Sequence, residues 1–162
     1  MKNKHASGKG HHNIDNIPDE PKVCKQWVCW NSTKFPINVR TGKKAEVDNP
    51  HTWCTFKEAQ EAVLSGKYKG VGFVLTGDDP YTIIDLDHVI NPDTGEILPW
   101  AQEIINLMDS YTEVSQSGTG IHIIIRGKKP GDRCKGKNGQ IEIYDHARYF
   151  ALTGDLWRRH HG

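Results

Sequence analysis

Three short runs of the sequence carry side chains whose types and spacing suit phosphate and metal chemistry. The first is Ile83-Ile84-Asp85-Leu86-Asp87. Side chains of a strand alternate between faces, so Asp85 and Asp87 leave one side while Ile84 and Leu86 enter the opposite layer. Two carboxylates held that close repel unless a cation lies between them. Hard divalent ions such as Mg²⁺ or Mn²⁺ prefer such oxygen ligands. Taken alone, the same pair also fits a solvated strand end.

The second run is Ser115-Gln116-Ser117-Gly118-Thr119-Gly120-Ile121-His122. Its small residues let backbone N–H groups turn toward an anion, Ser117 and Thr119 add hydroxyl donors, and His122 enters at the start of a buried strand. That makes a candidate triphosphate cradle. It is not a Walker loop, because no Lys-Ser/Thr follows the glycines and a strand comes next. The plainer reading is a tight turn followed by a core histidine. The third run is Ile141-Glu142-Ile143-Tyr144, in which Glu142 alternates with two isoleucines and offers a third carboxylate. Its plainer reading is an exposed strand glutamate paired with Arg148. Arg148 itself opens the next strand and presents a fork of fixed charge to phosphate.

The elements that must position these runs are legible in outline. Gln26–Trp30 reads as a buried strand and Lys34–Ile37 as a short edge strand, since Pro36 lacks a ladder donor. Thr55-Phe56-Lys57-Glu58 is a capping box opening a helix that ends at Gly66. A second helix follows Pro99, with Ala101, Ile104, Ile105 and Met108 on one stripe. Further strands are expected at Val71–Leu75, Tyr81–Leu86, Tyr111–Val114, Ile121–Ile125, Ile141–Tyr144 and Arg148–Thr153. Many strands with two helices predict an α+β domain, a mostly antiparallel sheet with helices on one side. The Gly- and Lys-rich residues 127–140 read as a mobile loop. Residues 1–21 lack periodicity and are expected to be a disordered arm, with order beginning near Lys22; residues 22–157 form the domain and 158–162 a tail.

The 162 residues suffice for one domain with a core, to which a 36% hydrophobic content including five Trp, five Tyr and four Phe contributes. No run approaches the ~20 apolar residues of a membrane span and the polar start is no secretion signal, so a cytoplasmic protein with no membrane partner is expected. Cys24, Cys29, Cys54 and Cys134 show neither zinc-ligand spacing nor disulfide density and read as reduced thiols. No spacing joins Cys24 or Cys29 to His11, His12, His160 or His161 in a metal site. The net charge of +1 argues against strong non-specific nucleic-acid binding, but its distribution is uneven. Gly77–Ser115 carries nine acidic residues and no Lys or Arg, whereas Arg126–Lys137 carries six basic residues against Asp132 alone. The acidic stretch suits cations and the basic one phosphate. Lys43, Lys44, Lys128, Lys129 and Arg133 are the candidate nucleic-acid contacts. Trp27, Trp30 and Trp53 read as core rather than as base-stacking platforms.

In order and type, the D-x-D strand, the S-G-x-G-x-H strand start and the later acidic strand resemble the three motifs of the archaeo-eukaryotic primase superfamily, closest to its phage and plasmid primase-polymerase branch. The likeness extends through Gln26-Trp27-Val28-Cys29-Trp30, Lys34 with Pro36, Gly42-Lys43-Lys44-Ala45, Asn49-Pro50 with Trp53, Gly72-Phe73-Val74-Leu75, Asp87-His88-Val89, Ser110-Tyr111-Thr112-Glu113 and Arg148-Tyr149 with Thr153-Gly154, roughly residues 26–155. The resemblance implies an RNA-recognition-motif-like sheet with a small accessory α/β lobe. It implies that Asp85, Asp87 and Glu142 hold two Mg²⁺ or Mn²⁺ ions and that His122, with the turn Ser117, Gly118, Thr119 and Gly120 and with Arg148, contacts the phosphates of an NTP or dNTP. Asp85, Asp87, Glu142 and His122 would be the catalytic set, acting on a single-stranded or primed DNA template. Gln116 stands where the family often has Pro. The chain stops at Gly162 without the helical or helicase regions that commonly follow, so truncation from a longer protein and a separate helicase partner are expected. Two other readings compete. A replication nuclease needs a His-hydrophobe-His pair, yet Ile124 stands two residues after His122. A catalytically silent binding module is disfavoured by the presence of all three carboxylates.

Overall fold

The computed structural model describes residues 12–32, 35–128 and 135–157. Its elements in chain order are α1 (Asp19–Lys22), β1 (Trp27–Trp30), α2 (Phe56–Leu64), β2 (Gly70–Leu75), β3 (Tyr81–Leu86), α3 (Pro99–Met108), β4 (Tyr111–Val114), β5 (Ile121–Arg126), β6 (Lys135–Gly136), β7 (Ile141–Tyr144) and β8 (Arg148–Leu152). The fold is α+β. Three strands form a sheet in the order β1-β2-β8 and five form a second in the order β4-β5-β3-β7-β6, with antiparallel ladders throughout.

Alternation along β3 and β5 explains the layers. Ile84, Leu86, Ile121 and Ile123 pack with Ala101 and Ile105 of α3 on one face of the five-stranded sheet. Tyr81, Ile83 and Ile124 leave the other face and join Trp27, Phe73, Phe150 and Leu152 of the three-stranded sheet in the largest core cluster. The helix α2 contributes Phe56, Ala59 and Val63 to that cluster, and both bonds of the Thr55–Glu58 capping box are present. The chain passes from one sheet to the other at the turn between β7 and β8.

Three local expectations are corrected. Residues 12–21 are not a disordered arm: Ile14 and Ile17 are buried in the main cluster. Asn13 donates from its backbone and its side chain to Asp155, and Asn16 donates to the Gly154 carbonyl. The partners lie more than 130 residues away, so no local periodicity announces them. The expected strand ending at Ile37 reduces to single bridges from Ile37 to Cys29 and Lys44; Lys34 lies outside the described residues. Of the expected mobile loop 127–140, residues 135–140 form β6 and a 3-10 turn, and residues 129–134 lie outside the described residues. The expected tail 158–162 also lies outside them.

Candidate active site

The register of the five-stranded sheet brings the three sequence runs to one rung. Asp85 of β3 is the Cα partner of His122 on β5 and of Glu142 on β7, and His122 is in turn the partner of Glu113 on β4. Directly opposed residues share a face, so Glu113, His122, Asp85 and Glu142 stand in a row. This is the face turned toward the three-stranded sheet. Asp87 follows one alternation beyond Asp85, past the end of β3, and is exposed. Asp85, Asp87, Ser115, Gln116, Ser117, His122, Arg148, Tyr149, Phe150 and Ala151 line a cleft of about 270 Å³.

The turn between β4 and β5 presents part of itself to this cleft. Ser115 and Gly120 pair across its neck, and the Gly120 N–H also meets the Ser115 hydroxyl at 3.1 Å. A side chain at Gly120 would run into that hydroxyl and the Leu86 carbonyl, which is why glycine stands there. Ser117 Oγ lies 2.9 Å from Ser115 Oγ and 3.1 Å from Thr119 Oγ1. Ser117 lines the cleft together with Ser115 and Gln116, whereas Gly118, Thr119 and Gly120 are not part of its lining. The Thr119 carbonyl instead accepts from the Val89 and Ile90 amides, tying the turn to the segment after β3.

The carboxylates are individually engaged. Asp85 Oδ1 lies 3.6 Å from His122 Nε2. Glu142 Oε2 accepts from the Tyr144 hydroxyl at 2.7 Å and lies 3.7 Å from the Arg148 guanidinium, so the pairing that was the plainer reading of Glu142 is present alongside the shared rung. Asp87 Oδ2 lies 3.7 Å from His88 Nε2. Among the described residues no three His, Cys, Asp or Glu side chains converge as a ready metal cage. Burial is the largest influence on the Asp85 carboxyl and pushes it up; His122 and Arg148 pull the other way, while Asp87 and Glu142 add to the rise. The donor set nevertheless suits a hard cation: three oxygen ligands, two of them on one rung, whose mutual repulsion a divalent ion relieves.

Behind His122 lies Glu113, which the sequence placed within the Ser110–Glu113 likeness without a role of its own. Glu113 is fully buried, and its Oε2 is 3.1 Å from His122 Nδ1. Burial is the largest single influence on His122 and opposes protonation, but the Glu113 hydrogen bond and charge, with Asp85 and Asp87, outweigh it and the imidazole is shifted up. A signal was available. A hairpin closed by residues 115–120 pairs Val114 with Ile121, and therefore Glu113 with His122. Phe150 completes the pocket, edge-on to the imidazole at 5.7 Å between centroids.

The basic candidates divide. The Arg148 guanidinium stacks 4.4 Å above the Tyr144 ring and faces the cleft. Lys44 lines an adjoining cavity of about 790 Å³ that meets the cleft at Arg148 and Tyr149; Lys43 is exposed beside it. Lys128 is engaged within the fold, its ammonium 2.7–3.3 Å from the Thr76, Tyr81 and Asp145 carbonyls and Asp79 Oδ1. Lys129 and Arg133 lie outside the described residues.

No protein-family model matches the chain. A DNA primase-polymerase of Nitratiruptor phage NrS-1 is 39% identical over 140 residues, covering 82% of this chain. The chain thus belongs with the phage primase-polymerase domains that its motifs resemble. It spans 19% of the length of that relative. Among the described residues no helix is long and apolar enough to cross a membrane.

Proposed function

We propose that this chain carries out template-dependent nucleotidyl transfer as a DNA primase or polymerase, joining the 3′-hydroxyl of a primer or starting nucleotide to the α-phosphate of an NTP or dNTP with loss of pyrophosphate. The observation that carries the reading is the common rung of His122, Asp85 and Glu142, of which His122 and Asp85 line the cleft. Asp85, Asp87 and Glu142 would hold two Mg²⁺ or Mn²⁺ ions. Bound there, such ions supply Lewis-acid activation of the attacking hydroxyl and neutralise the phosphates.

The chain's own groups orient the substrate. His122 Nε2, the Ser115 and Ser117 hydroxyls and Arg148 surround the cleft as donors, positioned to grip the triphosphate and to offset the charge that grows on the leaving pyrophosphate. The adjoining cavity beside Lys44 and Tyr149 has the size of a small-molecule site and is where the nucleoside end fits. Lys43 and Lys44 are the candidate contacts of the DNA template. A helicase partner and a cytoplasmic setting belong to the same reading.

A second reading, a silent nucleotide-binding module of the same fold, is favoured by one observation, the engagement of each carboxylate with a neighbouring side chain. A primer-extension assay on a primed template with Mg²⁺ or Mn²⁺ decides. Extension supports the proposal, nucleotide binding without extension supports the module, and cleavage of the template points to a nuclease.

A further inference from the structure

The buried carboxylate behind the site has a hydrogen-bond arrangement more specific than its burial requires. Glu113 Oε1 accepts from the Tyr111 hydroxyl at 2.8 Å and the Gly154 N–H at 3.2 Å, and Oε2 accepts from the Thr153 N–H at 2.9 Å. The Thr153 hydroxyl is 3.2 Å from Oε2 but only 2.6 Å from the Val114 carbonyl, toward which its proton is better directed. Backbone amides can only donate, and one addresses each oxygen. The remaining strong acceptor direction of Oε2 points at His122 Nδ1, 3.1 Å away. A lone pair on Nδ1 would there face a lone pair on oxygen; a proton on Nδ1 makes a bond.

We propose that Glu113 is a positioning residue for His122: by accepting the Nδ1–H it fixes the tilt of the imidazole and leaves Nε2 as the nitrogen turned to the cleft, where the doubly protonated ring donates its Nε2–H to the nucleotide phosphates. This rests on the proposed nucleotide-binding role of His122. The second restraint is Phe150, whose edge contact closes the ring's other side. Glu113 itself touches neither cleft nor substrate, being absent from the lining and fully buried. Its own orientation is set from strand β4 by Tyr111 and from the residues after β8 by Thr153 and Gly154. The ring is therefore held from both sheets, and its outward nitrogen has a defined place in the cleft.

The test is a long-range proton–nitrogen correlation spectrum of His122 in the ¹⁵N-labelled, metal-free chain, at a pH alkaline enough to leave the imidazole neutral. The proposal expects the Nδ1–H tautomer, which free histidine disfavours; an Nε2–H tautomer in the wild-type chain overturns it without any variant. The kinetic companion is Glu113→Gln, whose amide cannot match every donor. It is expected to mix the tautomers and raise the nucleotide KM about tenfold, with a smaller fall in kcat. A variant that folds and keeps both the wild-type tautomer and the wild-type KM refutes the positioning role while leaving the proposed activity intact. A wild-type chain that binds no nucleoside triphosphate overturns both.

Discussion

Glu142 lies directly opposite Asp85 across the β3–β7 ladder, on the rung where His122 flanks Asp85 from β5. Backbone ladders, not loop conformations, hold these three positions together. Residues 57 apart in sequence thereby share one face of a sheet whose opposite face is packed against α3. At the side-chain end Glu142 meets the Tyr144 hydroxyl and the Arg148 guanidinium, so its carboxylate stays close to charged and polar neighbours of the same face.

Removing either aspartate, Asp85 on this rung or Asp87 beyond it, should abolish catalysis without unfolding the chain. Asp85→Asn and Asp87→Asn are expected to lower nucleotide incorporation by about 100-fold or more, comparable to losing a principal charge-stabilising group. The folded baseline should stay intact, because neither side chain contributes to a core cluster. Primer extension together with circular dichroism checks both parts. Wild-type extension by either variant would remove the carboxylates from the mechanism.

The pH dependence of stability should carry the marks of Asp85 and His122 in the metal-free chain. Both groups are shifted up in the folded state, Asp85 foremost by burial and His122 by Glu113 against the opposing effect of burial. A group raised on folding binds its proton more tightly when folded. Its contribution is full below the unfolded pKa and is lost as pH rises through the folded one. Tm should therefore fall as pH climbs from the ordinary aspartate range, and again above the ordinary histidine range. Asp85→Asn should remove the first fall, and millimolar Mg²⁺ should flatten it by favouring the ionised carboxylates. Parallel wild-type and Asp85→Asn profiles in thermal melts would contradict this.

The sequence made the elements legible where their signals are local. The helix α2 was announced by Thr55 and Glu58, and α3 by Pro99 and the stripe through Ala101 and Ile105; both stand where expected. Alternation in Ile83–Asp87 correctly sent Ile84 and Leu86 into the α3 layer. What stayed hidden depends on pairing across distance. The order β4-β5-β3-β7-β6 cannot be read from any one strand, and it decides that His122 and Glu142 flank Asp85. Lys128 looked like a free cation in a basic run, because the Asp79 that it meets lies 49 positions away. The folding of residues 12–21 was invisible for the same reason, since two isolated isoleucines make no periodic pattern.

The N-terminal strap should prove integral to the fold. Ile17 is 2% exposed, and Ile17→Ala should cost about 2–4 kcal/mol through lost burial and the cavity left behind. Gly154 has φ +70°, and a side chain there would overlap the Asn13 carbonyl. Gly154→Ala combines left-handed strain of about 1–3 kcal/mol with that collision. Chemical denaturation measures both effects. Wild-type stability in Ile17→Ala would return the segment to a dispensable arm.

Native thiol reactivity should single out Cys24 among the three described cysteines. Burial pushes Cys29 up to about 12 and Cys54 up to about 11, leaving little thiolate at pH 8. Cys24 is only half-buried. In a Cys134→Ser background, a thiol-specific reagent should label one site in the native chain and three after denaturation. Prompt labelling of Cys29 or Cys54 would show that the β1 region opens readily.

Lys128 offers the sharpest separation of a structural cation from a DNA-binding one. Asp79 is 2% exposed in its side chain and its Oδ1 lies 3.3 Å from the Lys128 ammonium. Gln26, the Thr76 amide and the Tyr81 amide also donate to that carboxylate, so it would keep hydrogen bonds but lose its cation if Lys128 were removed. The ammonium also joins three carbonyls, from Thr76 and Tyr81 at the ends of the β2–β3 turn and from Asp145 in the β7–β8 turn. Lys128→Met should therefore lower stability by about 1–3 kcal/mol, the scale of leaving a buried polar group incompletely satisfied. A phosphate-contacting lysine would instead weaken DNA binding at all sequences and reduce its salt dependence by about one unit of slope. Melting curves and a salt titration of template affinity, run on the same variant, distinguish the two. Unchanged Tm with a reduced salt slope would place Lys128 on the nucleic-acid surface.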